Sequence, residues 1–259
     1  VDSIAVLDKT LDLLQALAER PNQTVAELSE AAGITKATAY RILNTLEARG
    51  YVVTYERVRR YSVGHAFHLY AGAARHADRL IQVARPQMEA LAQLGETVNL
   101  GVLARRSVLY LEVIESKQGL RATSEVGSLD TLHATALGKS MLSRMASEER
   151  DMLLADAKLV PFTVHTVTDR EALRAQIEAA TQQGYAIDDE ENEIGMRCVA
   201  APIVNADGRP VAALSVSGPN SRMVAGAIDR IIALTIASAD RVSEALARPT
   251  GEAPAQRQP

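Results

Sequence analysis

The stretch Thr24-Val-Ala-Glu-Leu-Ser-Glu-Ala-Ala-Gly-Ile-Thr-Lys-Ala-Thr-Ala-Tyr-Arg41 decides the fold of the first part of the chain. Thr24 and Glu27 have capping-box spacing: the threonine hydroxyl accepts from the amide of Glu27 while the glutamate reaches back to the Thr24 amide. A short helix over 25–32 follows, stopped by Gly33. A second helix opens after Thr35, and Ala39, Ile42, Leu43 and Leu46 recur at the spacing of a buried face before Arg49-Gly50 ends it. Two short helices joined by a glycine turn are the pattern of a helix-turn-helix, whose second helix enters the major groove of DNA by its N-terminal part.

Working outward, Leu7, Leu11, Leu14 and Leu17 predict an amphipathic helix upstream that ends near Arg20, before Pro21. Downstream, Tyr51-Val-Val53 and Arg60-Tyr-Ser-Val63 read as strands around an arginine-bearing connection, which makes a hairpin, the candidate wing. The overall charge of -4 argues against DNA at first sight. Residues 35–62, however, hold Lys36, Arg41, Arg49, Arg57, Arg59 and Arg60 against only Glu47 and Glu56, and the local face is what a phosphate backbone meets. Thr35, Lys36, Thr38, Tyr40 and Arg41 are the candidates to contact DNA from the helix, and Arg57, Arg59 and Arg60 from the wing. Strand alternation places Arg59 with Tyr61 on one side and Arg60 on the other.

At 259 residues the chain is long enough for two cores, and its 3% aromatic content makes them aliphatic. We expect a winged helix-turn-helix over residues 1–64, a linker helix over 65–77, a mixed α/β domain over 78–248 and a disordered tail over 249–259, hence a two-domain α+β protein. In the second domain, residues 98–103, 108–114, 121–126, 185–188, 198–204 and 210–217 are strand-like. Helices are expected to open near His133 to Ala136, after a Ser147 cap, and after a second capping box at Thr168-Asp-Arg-Glu171, this one stopping at Gly184, with a final helix over 224–247. Pro86 marks a break in the helical stretch that runs from Ala66 to about Leu94. In Ala213-Leu-Ser-Val-Ser217 the period of a strand sets both serines on one face, with hydroxyls about 7 Å apart that suit a small polar ligand.

Two further motifs bear on function. His133-Ala-Thr-Ala-Leu-Gly-Lys139 and Asp188-Asp-Glu-Glu-Asn-Glu-Ile-Gly-Met-Arg-Cys198-Val-Ala-Ala-Pro202, together with the Ala32-Gly-Ile-Thr-Lys-Ala-Thr-Ala-Tyr-Arg-Ile-Leu43 region, resemble the isocitrate lyase regulator (IclR) family of bacterial transcriptional regulators. The resemblance runs from about Ser3 to Leu246. The opening Ile4-Ala-Val-Leu-Asp-Lys departs from the family's usual arginine-alanine-leucine. It implies a GAF- or PAS-like effector domain, assembly as a homodimer or homotetramer, and an effector pocket at Asp188, Cys198, Ser215 and Ser217 with an apolar wall near Leu129 and Leu132. Backbone amides at His133 and Ala134 complete that pocket. An organic acid is the implied effector, and aromatic and aliphatic acids are both open. Double-stranded operator DNA is the expected partner, with RNA polymerase a further candidate.

Other function classes fare worse. A lone cysteine, Cys198, excludes an intrachain disulfide framework and a cysteine-cluster metal site. His65 and His68 have no further ligands at zinc spacing, and the acidic run Asp189, Glu190, Glu191 and Glu193 reads as a solvated loop. A Cys198 and His133 nucleophilic pair has no orienting third group, and no phosphate-binding glycine loop is present. We therefore expect no enzyme, no cofactor and no metal. With no span of apolar residues and no leader-like start, the expected setting is the cytoplasm, without membrane contact.

Overall fold

The computed structural model describes residues 4–55, 59–77, 79–155 and 157–248. The chain divides into two compact units, Val1–Asp78 and Arg79–Pro259. The expected tail over 249–259 and the wing residue Arg57 lie outside the described residues.

The first unit opens with α1 (Ala5–Glu19) and a two-residue strand β1 (Gln23–Thr24). α2 (Val25–Ala31) follows, with both halves of the Thr24–Glu27 capping box formed, then Gly33 at φ 61° and α3 (Lys36–Ala48), whose Thr35 hydroxyl accepts from the Thr38 amide. β2 (Val52–Tyr55) and β3 (Arg60–Val63) form the hairpin, and β1 pairs with the free side of β3, giving the order β1-β3-β2. α4 (Ala66–Ala77) ends the unit. Leu13, Leu17, Leu28, Ile42, Leu43, Leu46 and Tyr61 share its core. The leucine spacing located α1 but misplaced its buried face. Leu13 and Leu17 are enclosed, whereas Leu7 and Leu11 are 54% and 59% exposed, so the apolar positions cover two faces.

The second unit is one antiparallel sheet with helices on both faces. α5 (Arg79–Ala92) leads into β4 (Thr97–Ala104), β5 (Ser107–Ile114) and the short β6 (Leu129–Thr131). Then come α6 (Ala136–Leu142), α7 (Ser147–Ala155), α8 (Arg170–Gln183), β7 (Ala186–Asp189), β8 (Met196–Val204), β9 (Pro210–Pro219) and α9 (Ala227–Ala247). The strand order is β6-β5-β4-β9-β8-β7. Val98, Leu100, Val199, Leu214 and Val216 point from one face into a core shared with Met88 of α5 and with Ile231, Ala239 and Val242 of α9. On the other face, Ala200 and Ala213 pack with Leu137 and Met141 of α6 and with Leu173 and Ile177 of α8.

Several sequence expectations are corrected here. Pro86 breaks nothing: α5 runs through it, because Ile81, Ala84, Met88 and Leu91 hold one continuous buried face. Residues 121–126 form no strand, and β6 lies further on, where Leu129, Asp130 and Thr131 pair with Leu109, Val108 and Ser107. The Ala122 carbonyl instead accepts from Thr97 Oγ1 at 2.7 Å, so this segment crosses the sheet face. α8 is capped by Asp169, which accepts from the Ala172 amide, rather than by a Thr168 box. Ser147 is the first residue of α7, not its cap, whereas α6 opens at Ala136, within the expected window, behind the cap Thr135. Gly138 is required there by close approach: a Cβ on it would stand 2.3 Å from the Leu132 carbonyl oxygen.

Candidate functional sites: a recognition helix and a buried polar row

In the first unit, α3 buries Ala39, Ile42, Leu43 and Leu46 and leaves Thr35, Lys36, Ala37, Thr38, Tyr40 and Arg41 exposed. Its first two turns therefore present an ammonium, a guanidinium, a phenol and hydroxyls to solvent on a helix fixed from behind. Asn44 and Thr45, one turn further along, are exposed as well and were not singled out from sequence. Of the wing arginines, Arg59 stands 3.9 Å from Glu47. Arg60 donates to the Asn22 carbonyl at 2.9 Å and lies 4.0 Å from Glu27. The two point to opposite sides, and each has a partner within the unit. Tyr61, the next residue of β3, is fully enclosed.

In the second unit, sheet register lines up Asp188 with Cys198, Cys198 with Ser217, and Ser217 with Thr97. Four polar side chains thus form one row across β7, β8, β9 and β4. The next row sets Ser215 opposite Asn99. Asn99 Nδ2 donates to Ser215 Oγ at 3.1 Å and to Ser217 Oγ at 3.2 Å. Its own Oδ1 is buried without a hydrogen-bond partner among the described residues. Asn99 was missed from sequence, although a strand Thr97-Val-Asn-Leu with apolar Val98 and Leu100 on one face necessarily places Thr97 and Asn99 together on the other.

Asp188 Oδ1 accepts from the amides of Glu191 and Asn192 at 2.8 and 3.2 Å. Burial pushes its pKa up from 3.8 to about 7, against the lowering effect of those amides and of Lys139. Burial likewise pushes the Cys198 thiol well above its usual range, with the Asp188 carboxylate adding to the effect. The thiol is thus protonated at neutral pH, a poor nucleophile and a weak hydrogen-bond donor.

Of the acidic run after Asp188, Asp189 and Glu193 are exposed, as expected of a solvated loop, Glu190 is half-buried, and Glu191 departs from the expectation. Glu191 is only 4% exposed, and its Oε1 meets Lys139 Nζ at 2.5 Å, the lysine itself being 1% exposed. Gln176 completes the group through a 2.9 Å bond from Lys139. The pair ties α6 to the 188–196 turn. Thr166 Oγ1 and Thr163 Oγ1 bind the carbonyls of Glu191 and Glu190 and secure the same turn from outside. The signal for Lys139 was available: it is a lone charge in Ala-Leu-Gly-Lys-Ser-Met-Leu.

The remaining pocket candidates are dispersed. His133 is 4% exposed and its Nε2 bonds the Val160 carbonyl at 3.0 Å, far in partnership from Cys198, whose neighbours are Ser217 and Asp188. Ala134 is fully enclosed beside it. Leu132 belongs to the core beneath α6. Leu129 is 52% exposed and faces a separate cavity of about 530 Å³ bounded by Tyr110, Thr123, Ser124 and Asp130, so the two leucines form no common wall. Among the described residues no group of three or more His, Cys, Asp or Glu side chains is placed to hold a metal, and no helix is long and apolar enough to cross a membrane.

A capped helix-turn-helix with a hairpin, followed in the same chain by a sheet with a polar row enclosed on one face, defines a two-domain transcriptional regulator. Residues 6–55 match the IclR helix-turn-helix domain, and residues 72–244 match the bacterial transcriptional regulator IclR C-terminal domain. The chain belongs to the IclR family, whose named members here are transcriptional regulators and not enzymes. It is 36% identical to the HTH-type transcriptional regulator KdgR of Dickeya chrysanthemi over 94% of this chain and 80% of the relative. Its fold is similar to an IclR transcriptional regulator from Silicibacter sp. TM1040, at TM-score 0.84 and 27% identity over 94% of this chain and 97% of the other. It is also similar to an IclR homolog from Microbacterium hydrocarbonoxydans complexed with 4-hydroxybenzoate, at TM-score 0.74 and 26% identity over 93% and 98% of the two chains.

Proposed function

We propose that this protein binds operator DNA sequence-specifically through α3 and the wing, under the control of a small organic acid held in the second unit. Thr35, Lys36, Thr38, Tyr40 and Arg41 contact phosphates and base edges in the major groove, and Arg57, Arg59 and Arg60 reach the backbone from the wing. The acid occupies the polar row, where Ser215, Ser217 and the Asn99 amide offer neutral donors and Cys198 and Asp188 close the end. The observation that carries this reading is that row: composed of short polar side chains, buried at Thr97, Asp188 and Ser217 and half-buried at Cys198, and turned away from the core shared with α5 and α9. A relative of similar fold in complex with 4-hydroxybenzoate supports an organic acid as effector. His133, Ala134, Leu129 and Leu132 contribute as the surround of this pocket rather than as a continuous wall.

The working form is a homodimer or a dimer of dimers acting in the cytoplasm, with RNA polymerase as a further partner. The exposed apolar edge of α1, Ile4, Leu7 and Leu11, supports self-association. Selection of fragments of the source genome by the purified full-length chain, with and without organic acids, tests the reading. A recurrent site bound far more tightly than its scramble, and shifted in affinity by an acid, is the expected result. Uniform weak binding, insensitive to any acid, would overturn it.

A further inference from the structure

Asp188 ends the polar row, but its carboxylate is aimed by groups outside the sheet. Its Oδ1 accepts from the Glu191 and Asn192 amides at 2.8 and 3.2 Å, so the turn after β7 is its cradle. Glu190 in that turn stands at φ 60°, a left-handed conformation that residues with a β-carbon seldom adopt, and such geometry persists where neighbours impose it. Two sets of anchors do so. From within, Lys139 of α6 and Gln176 of α8 both bond Glu191 Oε1, at 2.5 and 3.3 Å, and bond each other at 2.9 Å. From outside, Thr163 Oγ1 donates to the Glu190 carbonyl at 2.6 Å and Thr166 Oγ1 to the Glu191 carbonyl at 2.5 Å. The Thr166 oxygen accepts in turn from the amides of Phe162 and Thr163, at 3.0 and 2.8 Å, which fixes the segment that carries it.

We propose, resting on the organic-acid reading above, that Lys139, Gln176, Glu191, Thr163 and Thr166 are positioning residues for the effector: without touching it they fix the Glu191 and Asn192 amides, and so set the affinity and pH dependence of its binding through Asp188. The physical link is short. Two hydrogen bonds to one carboxylate oxygen favour its ionised form, and the Lys139 charge acts in the same sense from behind the turn. The Glu191 carboxylate opposes ionisation, and Cys198 on β8 and, by way of Asn192 Nδ2, Asp130 on β6 are the other ionisable groups about Asp188 among the described residues. Slackening the cradle removes the amide bonds while burial persists, so Asp188 keeps its proton to higher pH and presents a donor where an acceptor would stand. The row then meets a ligand differently although none of its own residues has changed.

Carbon-13 NMR titration of Asp188, with hydrogen exchange of the Glu191 and Asn192 amides, tests the cradle on the full-length protein without any ligand. Thr166→Val removes no charge, so whatever it does to Asp188 comes through the position of the turn. It should speed exchange at the two amides by about tenfold and raise the pH at which Asp188 loses its proton above about 7. Lys139→Met with Glu191→Leu, which strands no charge, should act in the same direction. Calorimetry with 4-hydroxybenzoate and with acetate, as aromatic and aliphatic probes, then reads the consequence for binding between pH 6 and 8.5. A probe that binds wild type should bind Thr166→Val about tenfold more weakly with a displaced pH profile, whereas Ser215→Ala should weaken it with the profile unmoved. Unchanged amide exchange and an unchanged Asp188 titration in both variants, with only the melting temperature lowered, would reduce the five residues to structural roles and overturn the proposal. A shifted Asp188 with an unaltered affinity and profile would overturn it too, by cutting the cradle off from the ligand. Failure of both probes to bind wild type would count against the organic-acid reading, while the ligand-free measurements still decide the cradle.

Discussion

Asp188 and Lys139 show how differently two buried ionisable groups behave in one unit. Among the described residues no cation contacts Asp188 directly, so enclosure outweighs the pull of Lys139 and raises its pKa from 3.8 to about 7. Between those values the native state holds a proton that the unfolded chain has released, so folding stability falls as pH rises through that window: the contribution is intact below about pH 4 and lost above about pH 7. Asp188→Asn keeps an oxygen for the Glu191 and Asn192 amides but cannot ionise. Relative to wild type it should gain a few kcal/mol on going from pH 4.5 to pH 8.5, measured by urea unfolding at both. A difference that does not change with pH would mean that Asp188 titrates normally. Lys139, by contrast, meets Glu191 at 2.5 Å. Removing one member of an enclosed pair strands the other charge, so Lys139→Met should cost about 3–5 kcal/mol, whereas Lys139→Met with Glu191→Leu should recover most of it. A double variant as unstable as the single would show that the loss comes from packing of α6.

Among the elements, α3 is the one whose outer and inner faces divide most cleanly. Ala39, Ile42, Leu43 and Leu46 hold it, so Lys36→Ala and Arg41→Ala, both on the exposed side, should leave the melting temperature unchanged while weakening operator binding by ~1–3 kcal/mol wherever they touch a base edge. Arg60→Ala should act differently: its bond to the Asn22 carbonyl joins β3 to the residue before β1, so some stability goes with any DNA contact. Band shifts at two salt concentrations, paired with melting curves, separate the cases, and equal operator affinity in both α3 variants would refute the assigned surface. The same elements show what a sequence can and cannot reveal. α2 and α3 were legible to within a residue because caps and glycine stops act locally, and Ser215 and Ser217 because alternation along a strand is local too. The α1 face was not, since six apolar positions on one helix do not say which of them meets a core assembled elsewhere. The 121–126 segment has strand composition but bonds to a side chain of β4 rather than to a strand edge. Pro86 was overridden by the buried face on either side of it, and within the acidic run Glu191 was drawn inside by a lysine 52 residues earlier in the chain.

On the scale of the whole molecule, a net charge of -4 means that attraction to DNA comes from a local face and not from the sum. Binding should accordingly be steep in salt and weak on arbitrary sequence, because the acidic remainder opposes non-specific approach while the few cations of the first unit release counterions on contact. Control by an effector adds a stricter requirement. In the proposed reading the acid binds within the unit Arg79–Pro259 and the operator within the unit Val1–Asp78, so neither ligand influences the other by contact if each keeps to its unit. The influence must be carried by a conformational equilibrium that both ligands bias, and it is then reciprocal: whatever factor the acid imposes on operator affinity, the operator imposes on acid affinity. A coupling of ~1–3 kcal/mol, about 5- to 150-fold, is the expected size. Two titrations measure it independently, calorimetry of the acid with and without a saturating operator duplex, and fluorescence anisotropy of the duplex with and without saturating acid. The two ratios should agree within error and should both fall to one in Ser215→Ala with Ser217→Ala if that pair reads out the acid. A large ratio in one titration with none in the other would break the thermodynamic cycle, and would mean that the acid alters assembly of the protein or competes at the DNA surface rather than acting through the buried row.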